Sequence, residues 1–359
     1  MITILIFLLL LSTLVFAHEL GHFWVAKKAG MKVEEFGFGF PPRLFGIRRG
    51  ETTYSFNAIP LGGFVRILGE NGESRDDPNS FSAKSRTKRF FVLVAGVVMN
   101  VLLAWFLLSA GFMFGLPSVL DEPMPSGAKV RDERIEVLFV LPGSPADTVG
   151  MKSGDKILSV NGEPAEVSDA ARANIGKARV GDIVRLEIER DDESMTLEAV
   201  AAQITNDIVG VGVQIADVGV VRFSPPLAII HGARMTANMI VQTAEGFWSL
   251  VLRLISGDGE QIEVSGPIGI AVMTGEMAKD GLGRLIFFAA LLSVNLAILN
   301  ILPIPALDGG RILFVLIEAI TRRAVTHKIE RTIHAFGFMA LMFLVILVTY
   351  KDIAGIFAK

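Results

Sequence analysis

Four apolar windows, at residues 2–26, 90–116, 285–302 and 333–350, set the terms on which this 359-residue chain can fold. At a rise of about 1.5 Å per residue, each is long enough to cross a bilayer core. Lipid offers the backbone no hydrogen-bond partners, so each window has to become a helix. Charges are numerous all the same: 51% of residues are hydrophobic and 20% are charged, which segregates the charged ones into the connections. A further stretch, residues 225–255, mixes Ile229, Ile230, Phe247, Trp248 and Leu250 with His231, Arg234, Glu245 and Arg253. It reads as an amphipathic segment at the interface or against the bundle, with a fifth span as the alternative.

The first window runs into His18-Glu19-Leu20-Gly21-His22. Residues four apart share a helix face, so His18 and His22 can aim both imidazoles at one Zn2+ while Glu19 reaches a water beside it. Ionisable groups in so apolar a stretch are costly and point to function. Two other readings fit the same residues: a secretory signal peptide ending near Leu14-Val15-Phe16-Ala17, and two satisfied histidines in a bundle. The first lacks the positively charged start that such peptides carry. The chain has no cysteine, which excludes disulfides, thiolate metal sites and a cysteine nucleophile. Any metal takes His, Asp or Glu.

A third ligand is needed to complete such a site, and His231, His327 and His334 stand in no motif-like setting. The third window, by contrast, continues through Asn300-Ile301-Leu302-Pro303-Ile304-Pro305-Ala306-Leu307-Asp308-Gly309-Gly310. Pro303 and Pro305 break the helix and free backbone groups to turn around a polar site. In isolation Asp308 would be a helix cap. In one membrane protein with His18 and His22, it is the candidate third ligand.

Loop charge predicts the orientation. Lys27, Lys28 and Lys32 follow the first window, and Lys84, Arg86, Lys88 and Arg89 precede the second, which marks this connection as cytoplasmic. Arg311, Arg322, Arg323, Lys328 and Arg331 place the last connection there too, so both termini are expected outside. The acid-rich region after the second window, beginning with Asp121-Glu122, is expected to be exported. In it, residues 135–140 read as a strand, Pro142-Gly143-Ser144-Pro145-Ala146 opens a short helix, and Gly154-Asp155 feeds a strand ending in the Asn161-Gly162 turn. Residues 184–188 and 195–200 form a later hairpin. This order resembles a PDZ domain over residues 125–217, a module that binds extended chain ends by strand addition.

Taken together, the His-Glu-x-x-His element, the Asn300-x-x-Pro303-x-Pro305-x-x-Asp308-Gly309 element and the inserted PDZ-like region resemble the site-2 protease family, and within it the bacterial regulator-of-sigma-E protease branch. The likeness covers nearly the whole chain. It implies that His18, His22 and Asp308 ligate Zn2+, that Glu19 is the catalytic acid/base, and that Asn300 is a polar group beside the reacting carbonyl. It further implies a cytoplasmic membrane-associated β segment that clamps substrate, matched by residues 36–40 and 54–65, with Asn57, Ile59, Gly62 and Gly63 as substrate-binding positions. Many members of the branch carry tandem PDZ domains, whereas this chain has room for one.

The expected fold is therefore a polytopic α-helical membrane protein of about four transmembrane helices, with a cytoplasmic membrane-associated β segment and an inserted α+β PDZ domain. Residues 1–26 form the first span, 27–89 the cytoplasmic loop with the β segment, 90–116 the second span and 117–220 the extracytoplasmic PDZ domain. Residues 221–282 form the amphipathic connection, 283–311 the third span with Asn300 and Asp308, and 312–359 a cytoplasmic loop and the fourth span. The expected activity is intramembrane hydrolysis by a zinc metalloprotease acting on single-span membrane proteins in the bacterial cytoplasmic (inner) membrane, with the active site toward the cytoplasm. Lipid and a peptide ligand of the PDZ domain are the other expected partners, and no nucleic acid is. A zinc-binding transporter and a PDZ scaffold with a non-catalytic metal site are the alternatives.

Overall fold

The structure, a computed structural model, describes residues 2–70, 72, 74–120, 125–190, 192–205, 208–256, 265–323 and 325–357. Along the chain the elements are α1 (Ile2–Lys28), β1 (Val33–Arg49), β2 (Thr52–Ile67), α2 (Arg86–Phe114), β3 (Leu116–Val119), β4 (Lys129–Val140), α3 (Pro145–Thr148), β5 (Lys156–Val160), β6 (Glu163–Pro164) and α4 (Ser168–Gly176). They continue with β7 (Ile183–Arg190), β8 (Glu193–Val200), β9 (Ala202–Thr205), β10 (Ile208–Gly210), β11 (Val213–Arg222), α5 (Pro225–Ser256), α6 (Pro267–Lys279), α7 (Leu282–Ile301), α8 (Asp308–Thr321) and α9 (His327–Phe357). The chain divides into two compact units, one of Met1–Gly111 with Ala228–Lys359 and one of Phe112–Leu227.

Among the described residues, four helices are long and apolar enough to cross a membrane: Ile2–Lys28, Arg86–Phe114, Leu282–Ile301 and Lys328–Gly355. They fall on the four apolar windows. α1 ends in a Schellman motif: Gly30 takes φ +71, its N–H donates to the Lys27 carbonyl at 3.1 Å, and the Met31 N–H donates to the Ala26 carbonyl at 2.9 Å. Lys27 and Lys28 in the last turn complement the negative end of the helix.

Where a single segment over 283–311 is expected, two helices stand. α7 stops at Ile301, and α8 restarts at Asp308. Pro303 and Pro305 explain the break, since neither has an N–H to donate to the preceding turn. The connection expected over 221–282 likewise holds two helices, the 32-residue α5 and then α6, which opens with Pro267 in its first turn. Residues 257–264 of that segment, and Asp121 and Glu122, lie outside the described residues.

β1 and β2 pair antiparallel, in a doubled register. Phe36 faces Val65 and also Tyr54, while Phe38 faces Gly63 and Phe56. The far half of β1 folds back, so that Phe45 faces Phe56 and Ile47 faces Tyr54. Residues 35–38 are therefore central and residues 63–67 form an outer edge. Phe38, Phe56 and Phe45 stack in series with ring centroids 5.3 Å apart. Phe40, Leu44, Phe45, Ile47, Ile59 and Leu61 leave an exposed apolar surface.

The second unit is built on an antiparallel sheet in the order β3-β11-β4-β5-β7-β8, with β6 beside β5. On β7 the buried Val184, Leu186 and Ile188 alternate with outward residues, the period-two pattern of a strand with one face in a core. Ala171 and Ile175 of α4 close that core over Val137, Ile157 and Ile215. Asn161 and Gly162, both at positive φ, make the tight turn from β5 to β6.

Candidate metal centre

His18 and His22 lie on the buried face of α1, each 7% exposed. Their Nε2 atoms stand 3.1 Å apart, and Asp308 Oδ2 lies 3.0 Å from His18 Nε2 and 3.3 Å from His22 Nε2. Two imidazoles and a carboxylate thus meet across 290 residues of sequence. Zinc bonds of about 2.0–2.1 Å in a tetrahedron place neighbouring ligand atoms about 3.3 Å apart, which is the scale of this triangle. The His22 Nδ1–H donates to the Val92 carbonyl at 2.7 Å, leaving Nε2 unprotonated on the side of the other two donors. The donor set therefore fits zinc in both chemistry and spacing.

Asp308 reaches the rings because the chain between α7 and α8 is tightly folded. The Ile304 N–H donates to the Leu302 carbonyl at 2.7 Å, and Ala306 is held at φ +80, a conformation costly for a residue with a Cβ. His334 of α9 compensates, accepting the Ala306 N–H on Nδ1 at 2.9 Å. Gly310 permits the close approach of α8, since a Cβ there would sit 3.1 Å from Pro305 Cα and closer still to the Ile304 carbonyl. Arg311, one turn after Asp308, pairs with Glu70.

Glu19 is placed by the β sheet. The Val65 N–H donates to Glu19 Oε2 at 3.0 Å. That contact ends a run along one face of α1: the Ser12 hydroxyl donates to the Pro60 carbonyl at 2.6 Å, and ideal Cβ positions on Gly62 and Gly63 would lie 2.7 Å from Val15 Cγ1 and 3.5 Å from Phe16 Cδ2. β2 therefore runs along α1 toward the metal-binding face, with its outer edge beside Glu19.

The remaining predicted positions divide. Gly62 and Gly63 belong to the stretch along α1, and Ile59 is 41% exposed. Asn57 is buried, its amide donating to the Phe38 and Gly39 carbonyls at 3.3 and 3.1 Å. Asn300 is half-buried one residue before the end of α7. Two neighbours of the rings carry no motif in the sequence. Gly96 of α2 stands where a Cβ would come within 2.6 Å of His18 Cε1, and the Asn100 amide lies 3.2 Å from His18 Nδ1. A buried Asn one helical turn from a glycine within a membrane span is the signal that marks them.

A family model described as peptidase family M50 matches residues 6–344. The chain belongs to peptidase family M50. A Clostridium perfringens protein provisionally named a zinc metalloprotease is 38% identical over 96% of this chain and 97% of its own. The zinc metalloprotease RasP of Geobacillus kaustophilus is 29% identical over 99% of this chain and 98% of its own. Among solved structures, the PDZ domain of an SdrC-like protein from Listeria innocua is 22% identical, with a TM-score of 0.22, over 23% of this chain and 92% of that one. This M50 chain is an intramembrane zinc metalloprotease of the site-2 type, with Zn2+ as its cofactor.

Proposed function

We propose that His18, His22 and Asp308 hold the zinc and that Glu19 is the acid/base in hydrolysis of a peptide bond within or near the transmembrane helix of a single-span protein. The convergence of two buried imidazoles and a half-buried carboxylate, with Glu19 one residue from the first of them, supports this assignment. Zinc held by His18, His22 and Asp308 would supply Lewis acidity, lowering the pKa of water to about 7 and polarising a carbonyl. Glu19 accepts a proton from the attacking water on a carboxylate oxygen and returns it to the leaving nitrogen. The Asn300 amide, which makes no hydrogen bond among the described residues, donates to the oxygen that gains charge at the scissile carbonyl. His22 stays in register through its bond to Val92.

A helical substrate keeps its carbonyls in its own hydrogen bonds, so it has to unwind before attack. The outer edge of β2 offers replacement partners by strand addition, with Ile59, Gly62 and Gly63 along the contact and Asn57 bracing the sheet behind them. His22 lies six residues before Lys28, about 9 Å at the rise of a helix, which suits cleavage near one face of the bilayer. The lysines that follow make that face the cytoplasmic one of a bacterial inner membrane, with both termini and the inserted domain outside. The exposed apolar surface of β1 and β2 then enters the membrane from the cytoplasm.

The second unit reads as a single PDZ domain. Among the described residues β3 pairs with β11 only at Val218–Val221, and on the start of β11 the Asp217 and Ile215 carbonyls accept the Leu120 N–H at 2.8 Å and the Arg172 guanidinium at 2.5 Å. A cavity of about 440 Å3 beside this stretch, lined by Leu141, Ile175, Val211 and Ile215, suits an extended peptide.

The deciding experiment is Glu19→Gln in the full-length protein with a single-span reporter. Loss of cleavage with one zinc per chain retained is the expected result. Retained cleavage, or loss of zinc along with activity, refutes the role given to Glu19.

A further inference from the structure

We propose that Asn100 is a positioning residue that sets the tautomer of His18, accepting the His18 Nδ1–H on its side-chain oxygen, and that Gly96 provides the space in which the two rings meet. The inference rests on reading His18, His22 and Asp308 as the zinc site.

His18 turns Nε2 toward His22 and Asp308, so Nε2 is the atom offered to the metal. A neutral imidazole that ligates through Nε2 carries its proton on Nδ1, and that proton needs an acceptor. For His22 the acceptor is the Val92 carbonyl. For His18 the group within reach is the Asn100 amide, 3.2 Å from Nδ1 and fully buried. Drawn with Nδ2 facing the ring, this amide leaves two faults: Asn100 Oδ1 is buried without a partner among the described residues, and two donors face each other whenever Nε2 ligates metal. Turning the amide by 180° removes the second, because oxygen and nitrogen exchange places and Oδ1 takes the Nδ1 proton. It also gives the oxygen its partner, while the amide nitrogen takes over the position that had none. The turn leaves the main chain in place, where the Asn100 carbonyl accepts the Ser293 hydroxyl at 2.8 Å and ties α2 to α7.

Gly96 lies one helical turn before Asn100 on the same face of α2. A Cβ there would sit 2.6 and 2.7 Å from His18 Cε1 and Nε2, distances that real Cβ atoms do not tolerate. The Gly96-x-x-x-Asn100 face therefore does two things for one ring: it admits it, and it orients its proton. Neither residue touches the reacting atoms in this scheme.

The test is zinc affinity by chelator competition on the full-length, detergent-purified protein, which reads the site without relying on turnover. Asn100→Leu removes the acceptor at similar volume, and a 10- to 100-fold weaker zinc affinity is expected, the usual scale for losing a partner behind a ligand. Asn100→Asp keeps an acceptor at the same place, and restoration to within about threefold of wild type is expected on the same scale. Wild-type affinity in Asn100→Leu overturns the proposal. So does equal weakening in both variants, which would mean that the amide donates or merely fills space. If Asn100→Leu fails to fold, the aspartate variant alone decides, because loss of zinc there is incompatible with an acceptor role. Failure of the underlying site shows differently, as wild-type protein without stoichiometric zinc or as His22→Ala protein that keeps it.

Discussion

α1 and α9 have equal claims to cross a membrane, since both spans have a mean hydropathy of 2.2, yet they do opposite work. In α1 the buried positions include Ser12, His18, Gly21 and His22. In α9 the most apolar 18-residue stretch has no buried residue, and Phe336, Phe343, Leu344 and Ile346 point outward. Apolarity thus says that a helix crosses, while small and polar residues on one face say what it crosses for. α9 has that second kind of residue near its ends, where His334 holds Ala306, Gly337 makes room for Pro305 and Asp352 receives the start of α6.

The contrast can be broken by substitution, and the largest effects are expected on α1. His22→Ala should eliminate both stoichiometric zinc and cleavage, read by metal analysis and a reporter assay. A variant that keeps full zinc would remove α1 from the metal site. Glu19→Gln should cost about 10²- to 10⁴-fold in turnover, the range for a general acid/base, with zinc unchanged. Gly21→Ala should be milder but measurable. Its Cβ would press on the Ala95 carbonyl and lie 3.0 Å from Met99 Cβ, so α1 and α2 must separate at a cost of about 1–3 kcal/mol in unfolding free energy. On α9, His334→Ala should lower stability by about 1–3 kcal/mol through the orphaned Ala306 N–H, with a partial loss of activity as Asp308 loosens. Leu347→Val, at a half-exposed position, should change stability by less than about 0.5 kcal/mol and leave cleavage untouched.

These residues also show what sequence reading reaches. The spans were legible because lipid permits only one conformation for a long apolar run, and the shared face of His18 and His22 because residues four apart lie together on a helix. Asp308 was legible through its prolines, although they end α7 and α8 is a separate helix. α6 hid inside a connection of mixed polarity, and its start is fixed by a partner from far away: Asp352 accepts the Gly266 and Gly269 N–H groups at 3.2 and 2.8 Å. Gly96 and Asn100 escaped because their meaning lies in which ring they touch, and no spacing along α2 encodes that. The run of β2 along α1 was equally hidden, since it depends on a doubled register that alternation alone does not determine.

The hydrogen bond from Val65 to Glu19 has a consequence for timing. One amide hydrogen makes one strong bond at a time. A strand that docks on this edge of β2 and claims the Val65 N–H releases Glu19 at the same moment. In the proposed reaction, arrival of the chain to be cut and release of the base are then a single event.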